Sequence, residues 1–248
     1  MSVTARIGYY IRIVVYEIIR RTKLKFRYPL ESVSELFTLI GLTLIMYFAR
    51  SSLQIQGIEL SYYICMLFAL PSLQGPFKLA CCNDEGNTTE HLFVLPIKVW
   101  SQAILRDVAI CLISLPKFIL LLLFSKYVLG FSEIGAHMVV NMLVLRIGSL
   151  GMGFIFAGLA VRFKRIGSTI NVFSMAMLAL TFASGSIKLK WLDVLSNFNL
   201  YNAGFKYSMG NDNFIHMLIL ANVYLLIGIV VYNIYEHSAR KSGTLGRI

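Results

Sequence analysis

Apolar runs of about 20 residues recur along this chain, and nothing else in it restricts the possible folds so strongly. A bilayer core of roughly 30 Å demands such a run of every crossing helix, because unpaired backbone polar groups cannot be left in hydrocarbon. Of the 248 residues, 57% are hydrophobic and 14% are charged, a balance well beyond that of an ordinary soluble domain. The chain reads as an all-α integral membrane protein with about six transmembrane helices, near residues 30–49, 60–79, 107–124, 138–161, 168–186 and 214–235.

An even number of crossings puts both termini on one side, and Lys and Arg near span ends are retained in the cytoplasm. Arg6, Arg12, Arg20, Arg21, Lys23, Lys25 and Arg27 precede the first run, and Lys78, Lys98 and Arg106 flank the segment between the second and third. Arg162, Lys164 and Arg165 follow the fourth run, and Arg240, Lys241 and Arg247 the last, against Arg50, Lys126, Lys188, Lys190 and Lys206 on the other side. Both termini and the 81–100 segment are therefore expected in the cytoplasm. This asymmetry accounts for the net charge of +11 without nucleic-acid binding. Clustered juxtamembrane bases also attract anionic headgroups, at roughly 1 kcal/mol each. No short apolar core with a small-residue cleavage site precedes the first run, so the start of the chain reads as mature protein.

Residues 1–29 form a region of their own. Ile7, Ile11, Val14, Val15, Ile18 and Ile19 recur at spacings of three and four, with Arg12, Arg20, Arg21 and Lys23 able to point elsewhere. That pattern predicts an amphipathic helix lying in the interface plane, or a basic flank that only sets topology. Tyr28-Pro29 marks a bend into the first span, since proline disfavours helical geometry in the residue before it. A six-span domain, 30–235, and a basic cytoplasmic tail, 236–248, follow.

Between the second and third runs lies a polar island, 81–100, reading CCNDEGNTTEHLFVLPIKVW. Thr88-Thr89-Glu90 precedes apolar Leu92-Phe93-Val94-Leu95 and then Pro96. Asn87 or Thr88 can cap exposed N–H groups, and Glu90 suits the positive end of a helix dipole. A short amphipathic helix at the cytoplasmic surface is expected, or else a solvated loop, the default home of polar residues.

In this order the elements resemble the membrane subunits of ATP-binding-cassette exporters of the type-two permease class, which move drugs, peptides and polysaccharides. Members carry an interfacial helix, then between the second and third spans an acidic residue, Gly-Thr-x-Glu, apolar residues and Pro. Here that stretch reads Glu85-Gly86-Asn87-Thr88-Thr89-Glu90-His91-Leu92-Phe93-Val94-Leu95-Pro96, with Asn87 where the family usually has Gly. The small-residue run 148–160 followed by Arg162-Phe163-Lys164-Arg165, and the tail 239–246, are also similar to the family's. The resemblance covers nearly the whole chain. It implies that the island is a coupling helix seated in a groove of a cytoplasmic ATPase, with Glu85, Gly86, Asn87, Thr88, Thr89, Glu90, His91, Leu92 and Pro96 as the coupling set. It further implies a homodimer, or a heterodimer with a similar permease chain, in a bacterial plasma membrane.

This chain is not itself expected to be an enzyme. A phosphate-binding loop needs Gly-Lys followed by Ser or Thr, and no Gly-Lys dipeptide occurs. No cofactor is expected here, and ATP and Mg²⁺ would act through the partner ATPase. In the fourth run Ser149, Gly153 and Ala157 fall four apart and leave one helix face bare, for a dimer seam, a translocation path or packing inside one subunit. Arg146, in the outer half of that run, could meet an anionic substrate group or snorkel outward to Glu133 or Asp193. Lys117, beside Pro116 in the third, has the same two readings. Segment 187–212 is too apolar for an ordinary loop and resembles the family's short re-entrant outer helices, although Trp and Tyr anchoring at the interface explains the same residues.

Cys65, Cys81, Cys82 and Cys111 lack metal-site spacing and read as thiols, and the four histidines are scattered. Intramembrane catalysis would need paired acids or a His cluster that the runs lack. The expected function is export of an amphipathic peptide, drug or lipid-like substrate from the cytoplasm or inner leaflet. The alternative is a non-transporting immunity or assembly factor that binds a partner.

Overall fold

Leucine and alanine lose little rotamer freedom in a helix, and in apolar runs a helix satisfies every backbone group locally. The computed structural model describes residues 3–53, 57–80, 98–130, 135–163, 172, 198–208, 210 and 214–241. Among them every regular element is helical: α1 (Val3–Arg27), α2 (Pro29–Leu53), α3 (Gly57–Ala80), α4 (Val99–Tyr127), α5 (Ala136–Phe163), α6 (Leu200–Ser208) and α7 (Phe214–Lys241). Most of the 81–100 island, most of the fifth expected span and the end of the tail lie outside the described residues.

Among the described residues, three stretches are long and apolar enough to cross a membrane: Val99–Tyr127, Ala136–Arg162 and Phe214–Ala239. α4 and α7 turn apolar rows outward, with Val108, Leu112, Leu120 and Leu123 exposed on one and Ile215, Ile219, Leu226, Val230 and Ile234 on the other. α5 differs, since 83% of its apolar window is buried. α2 contributes only the shorter apolar stretch Val33–Ile45.

The chain divides into two units, Met1–Ile64 with Ile104–Ile134, and Cys65–Ala103 with Gly135–Ile248. In the first, α1 is tied to α4 at two levels. Arg106 lies 3.7 Å from Glu17, while Lys25 and Lys117 both reach Glu35 of α2, at 3.7 and 2.7 Å. Because 17 pairs with 106 and the Lys25 level with 117, α1 follows the chain direction of α4. The Glu35–Lys117 pair also brings the start of α2 beside the C-terminal half of α4. Opposite charges in an apolar setting attract strongly, and each removes the cost of leaving the other alone.

In the second unit α5 is the centre, with α3, α6 and α7 around it. The α5–α7 seam is built from missing side chains. Gly148 abuts Ala221, Gly151 meets the backbone of Tyr224 and Leu225, Gly228 packs on the Gly151 carbonyl, and Gly158 faces Tyr232 and Tyr235. Ascending numbers meet ascending numbers, so α5 and α7 run parallel. α3 also runs parallel to α5: the Cys65 thiol reaches the Met138 carbonyl at 3.6 Å, Phe68 meets Arg146, and Ser72 and Leu73 meet Gly153. Pro76 has no N–H to offer the Ser72 carbonyl one turn back. The hydrogen-only face of Gly153 fills that gap, and a β-carbon there would sit 2.9 Å from the carbonyl.

Candidate functional site

The polar chemistry of the second unit gathers around α6. Asn199 starts this helix by accepting a hydrogen bond on Oδ1 from the Tyr201 N–H at 3.0 Å, the usual task of an N-cap asparagine. Leu200 packs onto Gly148, and the Tyr201 and Ser149 hydroxyls share a hydrogen bond of 2.8 Å. The Asn141 amide donates to the Gly204 carbonyl at 2.9 Å and to the Ser208 hydroxyl at 2.6 Å. From α7, the Tyr224 hydroxyl donates to the Phe198 carbonyl at 2.7 Å.

These contacts fix a direction. Leu200 lies against Gly148, whereas Gly204 and Ser208 lie against Asn141, so α6 runs antiparallel to α5, toward its beginning. The Tyr207 and Phe214 rings lie 5.4 Å apart, and Gly210, at φ 81°, takes the left-handed conformation that a side chain would oppose. The short helix thus lies wedged among polar groups of α5 and α7, at the end where both begin. Two buried atoms of this wedge, Asn141 Oδ1 and Asn199 Nδ2, have no hydrogen-bond partner among the described residues. One is an acceptor and the other a donor.

If these bonds hold the wedge, Tyr201→Phe is expected to lower stability by about 1 kcal/mol and Asn141→Leu, which removes two, by about 2 kcal/mol. Thermal unfolding of the purified chain reads both, and the reverse order would make Ser149 the principal anchor.

The bare face of α5 is occupied from within the same unit. Ser149 is bonded to Tyr201, Gly153 meets the α3 backbone and Ala157 is fully buried. Arg146 is only 3% exposed; its Nη1 donates to the Phe68 carbonyl at 3.2 Å and its guanidinium lies 4.8 Å from the centre of the Phe68 ring. Glu133 and Asp193, the acids considered as its partners, lie outside the described residues. Lys117 belongs to the other unit and is bonded to Glu35, as above. Glu85, Gly86, Asn87, Thr88, Thr89, Glu90, His91, Leu92 and Pro96 all fall outside the described residues.

No family model matches this chain, no curated protein is similar to it, and no solved structure matches its fold.

One cluster escaped the sequence reading. Glu17, the single acid of α1 and only 6% exposed, accepts two hydrogen bonds of 2.9 Å from Arg20 and one of 2.8 Å from Arg21, besides the ion pair with Arg106. Burial pushes its carboxyl up, but the Arg20 hydrogen bond and the charges of Arg106, Arg20 and Arg21 outweigh that and hold it below the usual glutamate range. A glutamate three and four residues before two arginines is a legible helix-surface pair. Its burial against Arg106, 89 positions along the chain, had no local signal. Among the described residues no three His, Cys, Asp or Glu side chains come together as a metal site.

Proposed function

We propose that this chain is the permease subunit of an ATP-driven exporter, spanning a bacterial plasma membrane about six times with both termini in the cytoplasm. Direction is the observation that carries the topology. α3, α5 and α7 correspond to the second, fourth and sixth expected spans, which must cross the same way, and they run parallel to one another. Phe163 and the α6 wedge lie toward opposite ends of α5, as an intervening crossing requires. The outward apolar rows of α4 and α7 suit lipid.

On this reading the island takes the stroke of a cytoplasmic ATPase, which binds ATP and Mg²⁺, and passes it to the spans. Two permease chains, alike or merely similar, alternate access for an amphipathic peptide, drug or lipid-like substrate. α6 is the re-entrant outer element, held to α5 through Asn141 and Ser149. Arg106 opens the charged part of the helix after the island, and its pairing with Glu17 makes α1 move with that helix.

The test is to purify the chain with its native neighbours in mild detergent, identify co-purifying proteins by mass spectrometry and assay ATP hydrolysis with and without Glu90→Ala. A stoichiometric ATPase whose substrate-stimulated turnover drops about tenfold in the variant is the expected result, within the usual range of coupling between sites. A lone chain without nucleotide chemistry would overturn the exporter reading in favour of an immunity or assembly factor.

A further inference from the structure

α1 carries a groove of about 250 Å³ along one face, lined by Tyr16, Ile19, Arg20, Lys23, Leu24 and Arg27. The spacings of three and four bring the three cations together on one side of the helix. Lys23 and Arg27 are exposed, and Arg20 is set in place by its paired bonds to Glu17. Beside the groove lies an outward apolar strip: Ile11 is 57% exposed, Val15 and Ile19 47%, and Phe26 82%. Among the described residues, Glu17 is engaged by arginines and Glu35 by Lys25 and Lys117.

An anionic phospholipid has both parts that this face offers. Its phosphate matches Arg20, Lys23 and Arg27, and its acyl chains match Ile19, Leu24 and the strip beyond. We propose that this groove is a binding site for one anionic phospholipid, held by its phosphate at Lys23 and Arg27 beside the fixed Arg20. The site requires a membrane protein but not an exporter, so it stands or falls separately from the transport reading.

The probe is phosphatidylglycerol, against phosphatidylcholine as the zwitterionic comparison. The purified full chain is exchanged into mixed micelles of each lipid, and the lipid retained per chain is counted by mass spectrometry. For the Lys23→Gln, Arg27→Gln double variant, loss of two surface cations is expected to lower phosphatidylglycerol retention by about 30-fold. The Lys23→Arg, Arg27→Lys exchange should keep it, as should an equal charge loss elsewhere, Lys206→Gln with Lys241→Gln. Equal losses in the two neutralised variants would reduce the effect to bulk charge and overturn the site, and so would equal retention of phosphatidylcholine. Should the double variant misfold, photoactivatable phosphatidylglycerol on the unaltered chain gives the answer. Crosslinks concentrated on residues 16–27 support the site, and crosslinks spread over α4 and α7 refute it.

Discussion

Gly228→Leu is expected to lower the thermal unfolding midpoint of the purified chain by about 10 °C, from an overpacking cost of about 3 kcal/mol in a chain of this size. The cause is the seam between α5 and α7. A β-carbon on Gly228 would already collide with the Gly151 carbonyl, and one on Gly151 with the backbone of Tyr224 and Leu225. Backbone cannot rotate out of the way as a flexible side chain can, so the helices must separate, which strips contacts from Gly148 to Gly158. Gly41→Ala is the internal control. Nothing lies within 4 Å of a β-carbon there, and alanine is the better helix former, so the midpoint should hold or rise slightly. Similar losses in both variants would remove close approach as the explanation.

Glu17→Ala should cost about 3 kcal/mol, because it leaves Arg20, Arg21 and Arg106 facing one another with their shared counter-charge gone. The loss should show as a lowered unfolding midpoint and as faster proteolysis within α1. Arg106→Ala in the Glu17→Ala background should then recover part of it, since a repelling charge has been removed. An additive double variant would mean that the two residues do not act together. The pH dependence has a definite sign. Since the folded-state carboxyl titrates below its ordinary range, its contribution is complete above that range and fades as pH falls through the lowered value. Wild type should therefore lose stability on acidification more steeply than Glu17→Gln, whose side chain carries no proton to titrate.

Much of the architecture was legible in the residues. A run of leucine and isoleucine long enough to cross hydrocarbon declares itself wherever it occurs, because a helix satisfies its own backbone and needs no distant partner. The expected third, fourth and sixth spans accordingly fall inside α4, α5 and α7, and the apolar segment ahead of the last span contains the buried helix α6. The first expected span was less legible. Its composition resembles the others, but Glu35 answers to Lys117, and no pattern within 30–49 reports a lysine 82 positions away.

The small residues of α5 make the same point. Spacing singled out Ser149, Gly153 and Ala157 as a bare face, yet Gly148, Gly151 and Gly158 form the closest seam, and their partner Gly228 lies on another helix. A glycine in a sequence shows only that close approach is possible; which one is used depends on which helix arrives, and at what rotation. By itself, then, the sequence determined helical class and apolar lengths, both of which follow from local composition and order. Only the tertiary structure decided that α3, α5 and α7 run parallel, that α6 is wedged by Tyr201 and Asn141, and that Glu17 gathers three arginines. Each of those depends on groups far apart in the chain, brought together by close backbone approach at glycines and by pairing of buried polar atoms and charges.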